Sequence, residues 1–346
     1  MAQPVKLHDV AVAAGVSIAT ASRALAGKTR VAQETRAHVL EVADRLGYQV
    51  NPIARALRDG STRTVGMIVP VIANPFFAEL IDAIEAELHS VGLELLLADS
   101  HGEVVQERKR LGNLVSRQVD GIFIVPHHER HSVPGIRAAL AAVPLLQIDR
   151  RVARVRTDFV GVNNEDGIRS IVEHLVEIGT RSIVFASADD QNVAGRGRRT
   201  AFEAVTAELD LVVHPHIIGN FSLEAGQEAA RQLLARSALP DAVVAGSDFN
   251  AFGLISSLRA GGVRVPEDIR VTGFDGTTLS QVFDPPLTTV RQPTAEIAAT
   301  AVSFLMNRMA DPEAPVREQV ISPALVVRES TLRERPLAST SIAAGR

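Results

Sequence analysis

An all-α helix-turn-helix head joined to a two-lobed, parallel α/β body is the fold class predicted by this 346-residue sequence. Three observations point there. The opening residues read as short helices separated by a tight turn. Charge is divided unevenly: residues 1–64 hold nine Lys/Arg against five Asp/Glu, and the remainder holds 27 against 35. From Thr64 onward, short apolar runs alternate with amphipathic stretches at helical spacing. A basic head on an acidic body is the asymmetry of a nucleic-acid-binding domain attached to a regulatory one, and the overall charge of −4 conceals it.

In the head, a first helix is expected from Leu7 to Ala14, with Leu7, Val10 and Ala14 on one face. Gly15 follows, where a helix end favours a residue that tolerates positive φ. Ser17 is suited to cap a second helix running to Leu25, its hydroxyl accepting from a free backbone N–H. A third helix, Gln33 to Leu46, carries Val39, Val42, Ala43 and Leu46 at core-facing spacing. This order is the layout of a DNA reader whose second helix enters the major groove. A helical interaction domain with a solvated basic face is the plainer alternative.

The next segment sharpens the choice. Asn51-Pro52 is a helix start and Gly60-Ser61-Thr62 a stop. The helix between them spans about two turns, too short to be stable alone in water. It orders only against something else, such as a twin helix and a DNA groove; an ordinary linker is the competing reading. The expected organisation is a head over 1–49, a hinge helix and linker over 50–63, a two-lobed effector-binding and dimerisation body over 64–330, and a disordered tail over 331–346.

In the body, strands are expected at 65–71, 93–98, 121–125, 145–148, 182–186, 242–245 and 270–274, with a late pair near 319–328. Helices are expected at 75–91, 103–117, 133–142, 165–178, 198–208, 223–236, 249–260 and 292–309. Near-continuous apolar strands alternating with helices argue for parallel sheets covered on both faces. The stretch exceeds one compact sheet domain, so two lobes are the natural division. Open α/β sheets bind ligands beyond the C-terminal ends of their strands. Asn74-Pro75-Phe76-Phe77, Asp149-Arg150, Arg196 with Arg198, Phe221, Ser247-Asp248 and Phe274-Asp275 stand at or after such ends. Carboxylates and a guanidinium grip adjacent hydroxyls, and an aromatic ring covers the apolar face of a sugar. Taken singly, each has a structural alternative: core packing for Phe76 or Phe77, a surface ion pair for Arg198, a cap for Asp149 or Asp275.

Val10-Ala11, Gly15-Val-Ser17, Thr20-Ala-Ser22-Arg23, Val31, Thr35-Arg36, Leu46-Gly47-Tyr48, Asn51-Pro52 and Ala54-Arg55-Ala56-Leu57 resemble the head and hinge of the LacI/GalR family of bacterial transcriptional regulators. The likeness runs in order from Lys6 to Arg328. It implies a head, a hinge helix and a periplasmic-binding-protein-like body, with the chain crossing between lobes near 161–163, 290–292 and 321–323. It implies that Ile18, Ala19 and Arg23 face base edges, with Arg30 a further candidate, and that Ser17, Thr20, Ser22 and Thr35 contact phosphates. Arg23 suits bidentate bonding to guanine, whereas Ile18 and Ala19 read only shape or a thymine methyl. It implies that Leu57 wedges into the central base step of the minor groove, with Ala54 on the same face and Asn51 starting the helix.

The same resemblance places Phe76, Phe77, Asp149, Arg150, Arg198, Phe221, Ser247 and Asp275 around a small-molecule effector. Asp149-Arg150 with Arg198 and Asp275 resembles the sugar-responsive branch. The purine-responsive branch has Trp after that Asp, and Arg and Thr where this chain has Asn192 and Ala194. A sugar or sugar phosphate is the implied effector, pseudo-palindromic double-stranded operator DNA the implied target, and a homodimer the implied assembly. The tail has no leucine heptad, so a tail-mediated tetramer is not expected.

Other classes fit less well. A secreted sugar receptor would share the body, but Met1-Ala-Gln-Pro-Val-Lys6 offers no apolar signal core, so a cytoplasmic location is expected. An enzyme is not expected. Gly195-Arg-Gly197-Arg-Arg-Thr200 lacks the third glycine of a dinucleotide fingerprint, and His127-His128-Glu-Arg-His131 reads as a polar loop rather than a metal site. No cofactor and no metal are expected, and no apolar run reaches membrane-spanning length.

Overall fold

The computed structural model describes residues 5–25, 31–48, 60–152, 154–187 and 193–332. The chain divides into two units, Met1–Thr62 and Arg63–Arg346. In the first, helices α1 (Leu7–Ala13), α2 (Ile18–Leu25) and α3 (Gln33–Arg45) enclose Val10, Ala11, Ala21, Ala24, Val39, Val42 and Ala43. Gly15 adopts φ +65° after α1, and the Ser17 hydroxyl accepts from Thr20 N at 3.0 Å at the start of α2, as the sequence predicts. Alanines at the crossing points let these short helices pack closely.

The second unit holds the strands β1 (Thr64–Val69), β2 (Glu94–Asp99), β3 (Gly121–Ile124), β4 (Leu145–Ile148), β5 (Asp158–Val162), β6 (Ser182–Ser187), β7 (Val212–Val213), β8 (Ile217–Ile218), β9 (Ala242–Ala245), β10 (Arg270–Asp275), β11 (Thr288–Arg291), β12 (Glu318–Ile321) and β13 (Ala324–Val326). Its helices are α4 (Pro75–Ser90), α5 (Val104–Ser116), α6 (Val133–Leu140), α7 (Asn164–Glu177), α8 (Val193–Ala207), α9 (Leu223–Leu234), α10 (Asp248–Ala260), α11 (Leu279–Val282) and α12 (Thr294–Ala310). One sheet has the order β12-β5-β4-β3-β1-β2, all parallel. The other has the order β13-β11-β10-β9-β6-β7, with β8 also on β6 and only β13 antiparallel.

The chain changes sheet three times: between Val162 and Asn164, between Arg291 and Thr294, and between Ile321 and Ala324. These are the crossings the resemblance implies. The central strands β1, β3, β4 and β9 are predominantly apolar and buried, as expected of sheets with both faces covered, while the edge strands β2, β7, β12 and β13 are partly or largely exposed. Apolar contact is continuous from Met67, Phe77 and Leu80 on one side to Ile168, Phe185 and Phe274 on the other.

Four strands and one helix escape the sequence reading: β5, β7, β8, β11 and α11. β11 reads Thr-Thr-Val-Arg and gains its burial from neighbours on both sides, not from its own hydrophobicity. A second difference concerns α8. It begins at Val193, not near 198, so Gly195 and Gly197 lie inside a helix. Helix packing overrides the weak propensity of the two glycines, and Arg196 and Arg198 stand on helical turns.

Candidate functional site

Strand ends from both sheets of the second unit converge on one polar cluster. β4 ends at Ile148, and Asp149 follows with φ +62°, its N–H donating to Val160 O at 2.9 Å. β10 ends at Asp275, with φ +124°. Positive φ in a residue with a side chain costs roughly 1–3 kcal/mol and persists where surrounding structure enforces it. The two lobes thus each present one carboxylate from strained backbone.

The β10 side is densely bonded. Arg198, buried on α8, donates through Nη1 to Gly246 O at 2.6 Å and Asp275 Oδ1 at 3.4 Å, and through Nε to Asn164 Oδ1 at 2.9 Å. Its guanidinium stacks 3.7 Å from the centre of the Phe274 ring and lies 5.4 Å from that of Phe221. Gln292 Nε2 donates to Asp275 Oδ1 at 2.8 Å. Asp248 heads α10 and accepts from Thr277 N, Thr277 Oγ1 and Thr289 Oγ1. These bonds pin the loop after Asp275 to β11.

Burial pushes the Asp275 carboxyl up to about 8, with the charges of Asp248 and Asp149 adding to it and Arg198 and Gln292 opposing it. Asp248 is pushed up to about 6, again chiefly by burial, against the hydrogen bonds from Thr289 and Thr277.

The β4 side is sparser. Arg150 is buried, and its Nε lies 3.3 Å from Asp149 Oδ2, each side chain 4% exposed. The Phe77 and Phe221 ring centres are each 5.7 Å from its guanidinium carbon. Burial lowers the Arg150 pKa, and Asp149 opposes that shift. Phe77 follows Phe76 in the first turn of α4, which Asn74 caps by accepting from Phe76 N at 3.0 Å. Phe76 is buried in the apolar core.

Each expected effector residue can now be located. Asp149, Arg150, Phe77, Arg198, Phe221 and Asp275 are brought together. Ser247 is the cap of α10, its hydroxyl within 3.0 Å of Asn250 Oδ1 and accepting from Asn250 N. Asn250 Nδ2 in turn donates to Asn220 O and Ser222 O, so the cap holds the loop that carries Phe221. The sequence reading missed Asn164 and Gln292 as members of the cluster, and it named Asp248 only beside Ser247, without its partners. Asn164 and Gln292 both lie at the crossings between sheets, and the Asn163-Asn164 and Gln292-Pro293 pairs were the available signals.

Among the described residues, two polar contacts tie one lobe to the other at the edge of this cluster. Glu129 Oε2, in the loop after β3, meets Arg196 Nη2 at 2.6 Å, and Glu79 on α4 accepts from Thr278 N at 2.7 Å. Within the histidine loop, His128 Nδ1 accepts from Arg130 N and His131 N. No group of residues suited to hold a metal occurs among the described residues, and no helix among them is long and apolar enough to cross a membrane.

In the head, Ser17, Ile18, Ala19 and Arg23 are exposed along the start and outer face of α2, Ile18 at 50%. Thr20, Ser22 and Thr35 are half-buried. Arg23 Nε donates to Ala19 O at 3.0 Å. Ile18 is half exposed and stands outside the apolar core of the head. Arg30, Asn51, Ala54 and Leu57 lie outside the described residues, as does Asn192.

Comparison with known proteins agrees with both units. Residues 6–51 match the family described as bacterial regulatory proteins, lacI family, and residues 172–331 match the periplasmic binding protein-like domain. The chain is 34% identical over 327 residues to the HTH-type transcriptional repressor PurR of Photobacterium profundum, covering 94% of this chain and 98% of that one. The solved structure of the Lac repressor dimer bound to operator and the anti-inducer ONPF is similar at TM-score 0.85 and 27% identity, covering 96% of this chain and all of that one. The complex of the transcriptional regulator CelR with cellobiose is similar at TM-score 0.70 and 29% identity, over 94% and 99% of the two chains.

Proposed function

Because the chain belongs to the lacI family of bacterial regulatory proteins, we propose that it is a repressor whose hold on operator DNA is set by a carbohydrate-like effector between its two lobes. The observation that carries the reading is the meeting of Asp149 with Asp275 and Arg198, from opposite sheets, at strand ends where both carboxylates sit on strained backbone. Paired carboxylates and a guanidinium beside the half-buried Phe221 suit a polyhydroxylated ring with one apolar face. The likeness to CelR, solved with cellobiose, favours the same class.

The named roles follow. Arg23 reads a base edge, Ile18 and Ala19 read shape or a thymine methyl, and Ser17, Thr20, Ser22 and Thr35 fix register on phosphates. Arg30 is a further contact. Residues 50–63 form a hinge in which Asn51 starts a helix, Ala54 lies on its groove face and Leu57 opens a base step. Two copies read two related half-sites, as the Lac repressor dimer is seen to bind operator. Phe76, Phe77, Asp149, Arg150, Arg198, Phe221, Ser247 and Asp275 form or support the effector site. Ligand that changes lobe closure alters the marginal hinge helices, and a coupling of about 1–3 kcal/mol suffices to shift operator occupancy.

The test is titration of the purified protein against labelled DNA from its own promoter region, at fixed salt. Sugars, sugar phosphates and purine bases are added in turn, and Leu57→Ala is run alongside. Selective binding that Leu57→Ala weakens and a sugar modulates is the expected result. Modulation by a purine base alone would replace the effector class. Affinity no higher than for random DNA, followed by a genome-wide selection that returns no preferred site, would end the repressor reading.

A further inference from the structure

The sheet of the first lobe is covered unevenly. On one face, α5 and α6 pack Leu111, Leu114 and Ile136 against Ile68, Ile122 and Leu145 of β1, β3 and β4, and no residue of β5 or β12 joins that layer. Parallel neighbours are ordinarily joined by a helix that covers the sheet. The connection from β4 to β5, residues 149–157, contains no helix among its described residues. A hollow of about 550 Å³ remains at that place, within the range of roughly 300–1,000 Å³ typical of small-molecule sites. Gln147, Phe159 and Glu318 line it, in register across β4, β5 and β12. Arg151, Arg156 and Thr157 close it from the loop, and Val152, Val155 and Val316 give it an apolar side. None of these residues belongs to the cluster in the cleft.

The polar groups of the hollow are short of acceptors. Arg151 lies over the Phe159 ring, 5.3 Å from its centre, and pairs with Glu318, both side chains about half exposed. The Arg156 side chain is exposed, with no hydrogen bond or ion pair among the described residues. Thr157 is only 6% exposed. Its hydroxyl accepts from Gln147 Nε2 at 2.7 Å, and its own proton has no acceptor among the described residues. Gln147 Oε1 is spent on Val152 N at 2.7 Å, which fixes the loop against β4. Two guanidiniums and a hydroxyl donor thus share a single carboxylate, beside an apolar wall.

We propose that this hollow is a second small-molecule site, separate from the cleft, which takes a small organic anion. Arg151, Arg156 and the Thr157 hydroxyl hold its carboxylate or phosphate, and Val152, Val155 and Val316 receive its apolar body. A planar guanidinium matches two oxygens of either group, and such charge-assisted bonds are about twice as strong as neutral ones. Glu318 is the anion's internal rival for Arg151. The inference does not depend on the carbohydrate reading above.

Titration calorimetry on the full chain at fixed ionic strength tests this with matched probes. Phenyl phosphate and phenylacetate carry both anion and apolar body, inorganic phosphate and acetate the anion alone, and 2-phenylethanol the body alone. The expected result is that phenyl phosphate or phenylacetate binds at least about tenfold tighter than 2-phenylethanol and than its own bare anion. Which of the two binds tighter tells a phosphate ester from a carboxylic acid as the source of the anion. Arg156→Gln weakens that binding at least about fivefold, whereas Glu318→Gln strengthens it by removing the rival carboxylate. Both positions are exposed, and circular dichroism melts establish that both variants fold. Hydrogen exchange locates the occupant, with amides in 154–159 and 316–319 slowed on binding. The inference is overturned if no probe binds, if the bare anion or 2-phenylethanol binds as tightly, or if Arg156→Gln leaves binding unchanged. Slowing confined to segments around the cleft overturns it as well. The carbohydrate reading is tested separately, because the hollow shares no residue with the cleft.

Discussion

The two lobes hold the same kind of polar side chain in opposite ways. In the lobe built on β10, the buried Arg198, Asp248 and Asp275 are fastened to each other and to Asn164, Thr277, Thr289 and Gln292. In the lobe built on β4, Asp149 and Arg150 have chiefly each other. A densely bonded network holds its geometry, even though Gln292 Oε1 is left without a donor, whereas a poorly aligned pair is held less firmly. One wall of the cleft is thus fixed by many bonds, and the other by few.

The densely bonded wall should break most severely where its helices pass closest. A Cβ on Gly253 of α10 would lie 2.0 Å from Leu223 O, and one on Gly226 of α9 would lie 2.1 Å from Asn250 O. Both obstacles are backbone, so no side-chain rotation relieves them. Gly253→Ala should destabilise the protein by about 3 kcal/mol, at the upper end for overpacking. It should also shift the loop holding Phe221, since Asn250 anchors that loop. Chemical denaturation would read the loss. A variant as stable as the parent would mean that the two helices are not in fact so close.

A smaller effect tests the electrostatics of the same wall. The Asp275 pKa is raised to about 8 and that of Asp248 to about 6, both above the ordinary aspartate value of about 4. The folded state therefore binds more protons than the unfolded chain across that range. Stability is greatest below about pH 4 for these groups and falls as pH rises, for Asp248 until about 6 and for Asp275 until about 8. Thermal melts should show a declining midpoint between about pH 6 and 8 that Asp275→Asn flattens. An unchanged slope in that variant would remove Asp275 as its source.

The ease of reading the sequence follows the same division. Asp149 and Asp275 were legible because each ends or follows a clear apolar strand, and Arg198 because the family resemblance marks it. Asp248 was visible beside Ser247 but gave no sign of its role, because its partners Thr277 and Thr289 come from later elements. Gln292 was hidden for a similar reason: its use depends on β11, whose Thr-Thr-Val-Arg pattern does not look like a buried strand. The α8 boundary was missed because Gly195 and Gly197 suggest a loop. Local pattern marks strand ends well; it carries little about which ends the topology brings together.

The weakest link between the walls offers the finest test. Glu129 and Arg196 join the lobes at 2.6 Å, but each side chain is 38% exposed. Arg196 holds the Glu129 carboxyl below its ordinary pKa, so the contact is present above the usual carboxylate range and is lost as pH falls through the lowered value. Exposed pairs of this kind contribute little, so Glu129→Gln should raise amide hydrogen exchange in the 128–132 turn by no more than about fivefold. Salt should shrink that difference, since the Debye length falls to about 3 Å at 1 M. If the lobes are tethered only loosely here, movement of one wall relative to the other costs little. Exchange that rises a hundredfold, or ignores salt, would instead make this pair a lock and the β4 wall a fixed surface.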